Sequence, residues 1–123
     1  MAFAQKEQIV SSGEGSANLS EQNLRYGLHF MFSDRNVYTH NTFRNNGAGV
    51  AVMYTRDIRM EYNTFENNWG AASYGLLLKD ITNSTIYNNT FRRNTTGIYM
   101  ESSNRLDVQR NNFDRNGWAI RLL

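Results

Sequence analysis

Cysteine and proline are both absent from the 123 residues. Without cysteine the chain can form no disulfide, no thiolate metal site, no cysteine-type zinc finger and no cysteine nucleophile. Long hydrophobic runs are missing too. No apolar stretch approaches the ~20 residues that span a bilayer, so the expectation is a soluble chain with no membrane insertion. Charge of one sign is also lacking: 13 Lys and Arg stand against 11 Asp and Glu, a formal net charge of +2. That balance gives no clustered positive footprint, which argues against nucleic acid as a partner. The opening Met1-Ala2-Phe3-Ala4-Gln5-Lys6-Glu7-Gln8 has no basic segment followed by an apolar one and does not read as a signal peptide. The length suits a single domain.

What the sequence does have is asparagine, set repeatedly before phenylalanine, and self-similarity is the first thing such a pattern demands be tested. Counting from Gly27, an Asn stands at offset +14 (Asn41), a Phe at +16 (Phe43) and an Asn at +19 (Asn46). The same offsets from Gly49 give Asn63, Phe65 and Asn68; from Gly75 they give Asn89, Phe91 and Asn94; from Gly97 they give Asn111, Phe113 and Asn116. The repeat is 22 residues long, except for the unit starting at Gly49, which has 26 because four residues are added around Trp69–Tyr74. A further unit opens at Ala119 and stops at Leu123.

Within each unit offsets +1 and +3 are apolar: Leu28 and Phe30, Val50 and Val52, Leu76 and Leu78, Ile98 and Met100, Ile120 and Leu122. This period of two is that of a strand. A second short strand falls at +9 to +11, shown by Ile58/Met60 and Leu106/Val108. The Asn-x-Phe makes a third, entered through an Asn that tolerates the left-handed backbone and hydrogen-bonds along a stack of its equivalents. Three short strands and three turns per unit predict an all-β fold, a right-handed parallel β-helix of about four and a half 22-residue coils stacked at ~4.8 Å. Phe43, Phe65, Phe91 and Phe113 are expected to stack as an aromatic column inside it. Asn41, Asn63, Asn89 and Asn111 are expected to form one ladder along the turns, with Asn46, Asn68, Asn94 and Asn116 forming another. Leucine-rich repeats, propeller blades and α-solenoids have other periods or compositions.

Residues 1–23 do not join the pattern and read as a leader, linker or N-terminal cap, leaving 24–123 as the β-helix. Polar capping is missing at Leu122-Leu123, which suggests truncation of a longer stack and self-association through open β-helix ends.

Three functional readings compete. Carboxylates do not pair for acid–base chemistry: Asp34, Asp57, Asp80 and Glu101 fall at different offsets in different coils. No His matches Ser33, Ser102 or Ser103 either, so no catalytic residues are assigned and the chain is not expected to be an enzyme. Carbohydrate binding is the alternative, resting on Tyr26, Tyr74 and Trp118, which share offset −1, and on Trp69 in the four-residue bulge. The third reading comes from strand alternation. If +1 and +3 point inward, then +2 and +4 point outward, which sets His29, Met31 and Met53 together on one outer face. Imidazole and thioether donors suit Cu(I). Leu77 shares offset +2 and adds apolar area for a docking partner.

The strings Tyr26-Gly27-Leu28-His29-Phe30-Met31, Val50-Ala51-Val52-Met53-Tyr54 and Tyr74-Gly75-Leu76-Leu77-Leu78-Lys79, in this order, resemble consecutive coils of the NosD family. The resemblance covers residues 24–123. It implies a periplasmic β-helix without an active site of its own, which handles copper or acts as a scaffold during maturation of the nitrous oxide reductase copper sites. It also implies partners: a copper chaperone or the reductase, and ABC transporter subunits.

Overall fold

The computed structural model describes residues 13–16, 19–22, 26–31 and 34–123. Among these residues there is no helix, and fourteen strands follow one another. They are β1 (Gly13–Ser16), β2 (Leu19–Glu21), β3 (Tyr26–Met31), β4 (Asn36–Thr39), β5 (Thr42–Arg44), β6 (Gly49–Arg56) and β7 (Arg59–Glu61). After them come β8 (Thr64–Glu66), β9 (Leu76–Tyr87), β10 (Thr90–Arg92), β11 (Thr96–Glu101), β12 (Asn104–Gln109), β13 (Asn112–Asp114) and β14 (Trp118–Leu122).

Every pairing is parallel and joins one turn of the chain to the next, so the strands stack as a β-solenoid of about four turns. Strands β2, β5, β8, β10 and β13 form one five-stranded sheet, and the other nine form a second sheet. The repeat and the register coincide. Val50 pairs Leu76, Leu76 pairs Ile98, and Ile98 pairs Ile120. Phe43, Phe65, Phe91 and Phe113 are likewise consecutive partners. Identical residues therefore meet one strand spacing apart, and the four rings stack with centroids 5.3, 4.8 and 5.1 Å from one another. With Val50, Val52, Leu76, Leu78, Ile86 and Ile98 they fill the interior of the coil.

The two Asn columns close the turns. From the second member of each column on, the Asn side-chain oxygen accepts from the backbone N–H of its equivalent in the preceding turn, as in Asn63 N–H to Asn89 Oδ1 at 2.9 Å. In the first column three amide Nδ2 groups donate to a carbonyl one turn back: Asn63 to Tyr38, Asn89 to Met60, Asn111 to Ile86. The second column does the same to Phe43, Phe65 and Phe91. The left-handed conformation, expected on the first of these Asn residues, belongs instead to the residue before it: His40, Tyr62, Asn88 and Arg110 have φ of 57, 58, 55 and 55°. The physical reason is a division of labour. The left-handed residue turns the chain and sends its N–H to the next turn, as His40 does to the Glu61 carbonyl. The following Asn is then free to run its side chain along the stack.

The stack also reaches below the boundary expected at residue 24. Strand β1 pairs β4 from Gly13↔Asn36 to Ser16↔Thr39, and β2 pairs β5 from Leu19↔Thr42 to Glu21↔Arg44. A stretch of Gly and Ser without apolar alternation extends the ladder because backbone pairing asks only for available N–H and C=O groups.

The four extra residues sit between β8 and β9. They form a turn in which Ser73 N–H donates to the Gly70 carbonyl, and Thr95 of the following turn clamps it: Gly70 N–H donates to Thr95 Oγ1 and that hydroxyl donates to the Gly70 carbonyl, both at 2.9 Å. Trp69, Ala71 and Ala72 are exposed while Ser73 is buried, so the insertion projects on its entering side and folds back at Ser73.

Candidate functional site

On the first face of the coil, β3 carries His29 and Met31, and β6 carries Met53. The register places Met31 directly beside Met53, with Lys79 next in the same row. His29 lies two residues before Met31 and heads a row continued by Ala51, Leu77, Tyr99 and Arg121. That row was expected to be an open outer surface. It is closed along its first three members, with His29 5%, Ala51 0% and Leu77 9% exposed, although none of the three belongs to the interior cluster. Ala51 and Leu77 are each flanked on both sides at strand spacing, and His29, which has Ala51 on one side, has the Tyr26 ring packed on its imidazole at 4.5 Å. Leu77 is therefore not part of an exposed docking patch. Met53 is half-buried, and the Met31 side chain lies outside the described residues.

Lys79 stands at the far side of Met53, with its ammonium 5.8 Å from the Tyr54 ring centroid and 3.8 Å from the Glu101 carboxylate. The Tyr54 hydroxyl and the Glu101 carboxylate hold its pKa above the ordinary lysine value. The row therefore runs Met31, Met53, Lys79, Glu101, with the Lys79 ammonium set between Met53 and the carboxylate. Among the described residues no three His, Asp or Glu side chains gather where they could hold a metal ion. A metal on this face would depend on thioether and imidazole donors. That donor set fits a soft monovalent ion and fits poorly the hard cations that need oxygen.

Three of the four carboxylates considered, Asp34, Asp57 and Glu101, are engaged locally. Asp34 accepts from the Thr55 hydroxyl at 3.0 Å and the Arg56 N–H at 3.1 Å, and Asp57 accepts from Asn83 at 2.6 Å. Glu101 faces Lys79 as its nearest cation.

Of the four rings considered for sugar stacking, Tyr26 is occupied by His29. Tyr74 is half-buried, its N–H bonded to the Ala48 carbonyl. Trp118 is largely exposed, but the Arg121 guanidinium lies 5.1 Å from its ring centroid. Trp69 is 61% exposed and lines an open cleft of about 440 Å³ with Asn67, Arg93 and Arg115. The sequence reading singled out Trp69 but missed the two arginines. Their signal was present at offset +18, where Asn45 and Asn67 are followed by Arg93 and Arg115.

Fold and register together define a class: a parallel β-solenoid with Met31 and Met53 paired on adjacent strands of one sheet. Comparison with protein families matches residues 4–123 to NosD, described as periplasmic copper-binding protein (NosD). With nearly the whole chain matched, the chain belongs to the NosD family. No curated protein and no solved structure shows a match to it.

Proposed function

We propose that the chain handles copper in the periplasm, taking Cu(I) as cargo at the row formed by Met31 and Met53 with His29, as part of the maturation of the nitrous oxide reductase copper sites. The observation that carries this reading is the register Met31↔Met53 on adjacent strands of a NosD-family solenoid. Two methionines paired on adjacent strands, in a chain with no thiol, supply thioether donors, which prefer Cu(I) to the divalent ions abundant in the cell. Copper bound this way is exchangeable, which is what delivery to the reductase, with the ABC transporter as the second partner, requires. The role is that of a carrier or scaffold, and no bond-making step is assigned to the chain.

An anaerobic Cu(I) competition titration against a chromophoric chelator tests this on the wild type and on Met31→Ala, Met53→Ala and His29→Gln. One equivalent of Cu(I) should be withdrawn from the chelator by the wild type, and each Met variant should bind at least about tenfold more weakly. Equal competition by the wild type and both Met variants would remove the site. His29→Gln is read together with circular dichroism because the imidazole is buried.

A further inference from the structure

We propose that the cleft of Asn67, Trp69, Arg93 and Arg115 is a binding site for a carboxylated sugar. The site shares no residue with the Met31–Met53 row and stands or falls independently of copper.

The argument begins with charge. In the row just before these arginines, Glu21, Arg44, Glu66, Arg92 and Asp114 follow one another in register with strictly alternating sign. Ion pairs run along it: Arg44 to Glu21 at 2.6 Å, Arg92 to Glu66 at 3.8 Å and Arg92 to Asp114 at 3.6 Å. A parallel stack repeats every position at ~4.8 Å, so alternation is what a row of charges needs to avoid repulsion. One residue further on, the rule is broken. Arg93 and Arg115 occupy the same position of consecutive turns, following the paired Arg92 and Asp114. Both are exposed and both turn the chain, with φ of 53 and 56°. Among the described residues Arg115 has one weak partner, Asp114 at 3.8 Å, and Arg93 has no ion pair. Two like charges at the same position of consecutive turns, with Asp114 near one of them alone among the described residues, repel each other, and an anion shared by both would remove that cost.

The second observation is the indole. Trp69 enters the insertion, which Thr95 holds to the next turn through two 2.9 Å hydrogen bonds at Gly70. A ring set beside such a clamp has a restricted position, and its 61% exposure leaves a flat apolar face on the wall of the cleft. Asn67 adds an amide that donates and accepts. Arginines in this pairing recognise carboxylates with parallel N–H···O bonds. The aromatic face and the amide match the C–H face and hydroxyls of a pyranose. A bare phosphate or an acidic peptide would use the arginines and leave the indole without a role.

The probe is tri-galacturonate, titrated into the Trp118→Phe chain so that Trp69 is the only tryptophan. Emission from Trp69 should shift saturably with a dissociation constant below about 1 mM. Arg93→Gln and Arg115→Gln should each weaken binding about tenfold, and the affinity should fall with added salt. Trp69→Ala, followed by calorimetry, should lose at least as much, and neutral maltotriose should not bind. All three side chains are exposed, so circular dichroism should be unchanged and lost binding reads as a lost contact. No saturable shift at about 10 mM tri-galacturonate, equal affinity in the arginine variants, or tighter binding of an acidic tripeptide or inorganic phosphate would each overturn the proposal.

Discussion

Asn89 makes four hydrogen bonds with one side chain: Oδ1 accepts from the Asn63 N–H and from Asn63 Nδ2, and Nδ2 donates to the Met60 carbonyl and to Asn111 Oδ1. It is 1% exposed. Replacing it with Ala strands a buried N–H and a buried carbonyl, so Asn89→Ala should lower stability by about 3 kcal/mol in urea unfolding. A loss under about 1 kcal/mol would mean that water or a neighbour takes over the turn. Tyr87 and Asp107 test electrostatics at the same scale. The Tyr87 hydroxyl donates to the Asp107 carboxylate, as does Gln109, and these bonds hold the Asp107 pKa below its ordinary 3.8. A depressed carboxylate contributes stability that is fully present above the unfolded-state pKa and lost as pH falls through the folded one. Tyr87→Phe should therefore raise the Asp107 pKa, read by carboxyl-carbon NMR, and flatten the acid limb of the stability profile below about pH 4. An unmoved Asp107 titration would show that the hydroxyl contributes nothing.

Elements in this fold are marginal alone, since strands such as β5, β8, β10 and β13 have three residues each. Their stability comes from the column they build. Phe91 sits in its middle, fully buried between Phe65 and Phe113 at 4.8 and 5.1 Å. Phe91→Ala should cost about 4 kcal/mol, through lost transfer energy and a cavity that rigid strands cannot collapse. Phe113, only partly buried in the next turn, should cost clearly less, and equal losses on thermal or urea unfolding would contradict the column as a stack with a protected centre. The insertion after β8 behaves differently. Its register changes from 22 to 26 residues without disturbing any ladder, because the added residues fall in a turn where no strand partner is displaced.

At the scale of the whole molecule a solenoid is quasi-one-dimensional, each turn contacting only its neighbours. Strand β14 pairs β11 along one edge, and Ile120, Leu122 and Leu123 are 38, 70 and 71% exposed. An apolar strand with a free edge recruits another edge. The 123-residue chain should therefore associate in light scattering at high concentration, and Leu122→Lys should shift it toward monomer. A wild-type monomer under those conditions would remove this expectation.

The sequence by itself determined what repeats. Parallel stacking superimposes equal offsets, so Phe43 to Phe113 and the two Asn columns are written four times over, and the period reads directly as a coil. Unrepeated features had to wait for the tertiary structure. The left-handed corners hold His40, Tyr62, Asn88 and Arg110, which share no chemistry, because it is the backbone turn and not the side chain that the coil needs there. Strands β1 and β2 lack alternation and are defined by pairing alone. His29 and Leu77 obey the alternation that sends them off the core, yet both are buried, His29 against the Tyr26 ring and Leu77 between Ala51 and Tyr99. The cleft joins Trp69, from a unique insertion, to arginines in the two following turns. Periodicity superimposes Asn67, Arg93 and Arg115 at offset +18, but it cannot bring in Trp69, whose place depends on an insertion that occurs once.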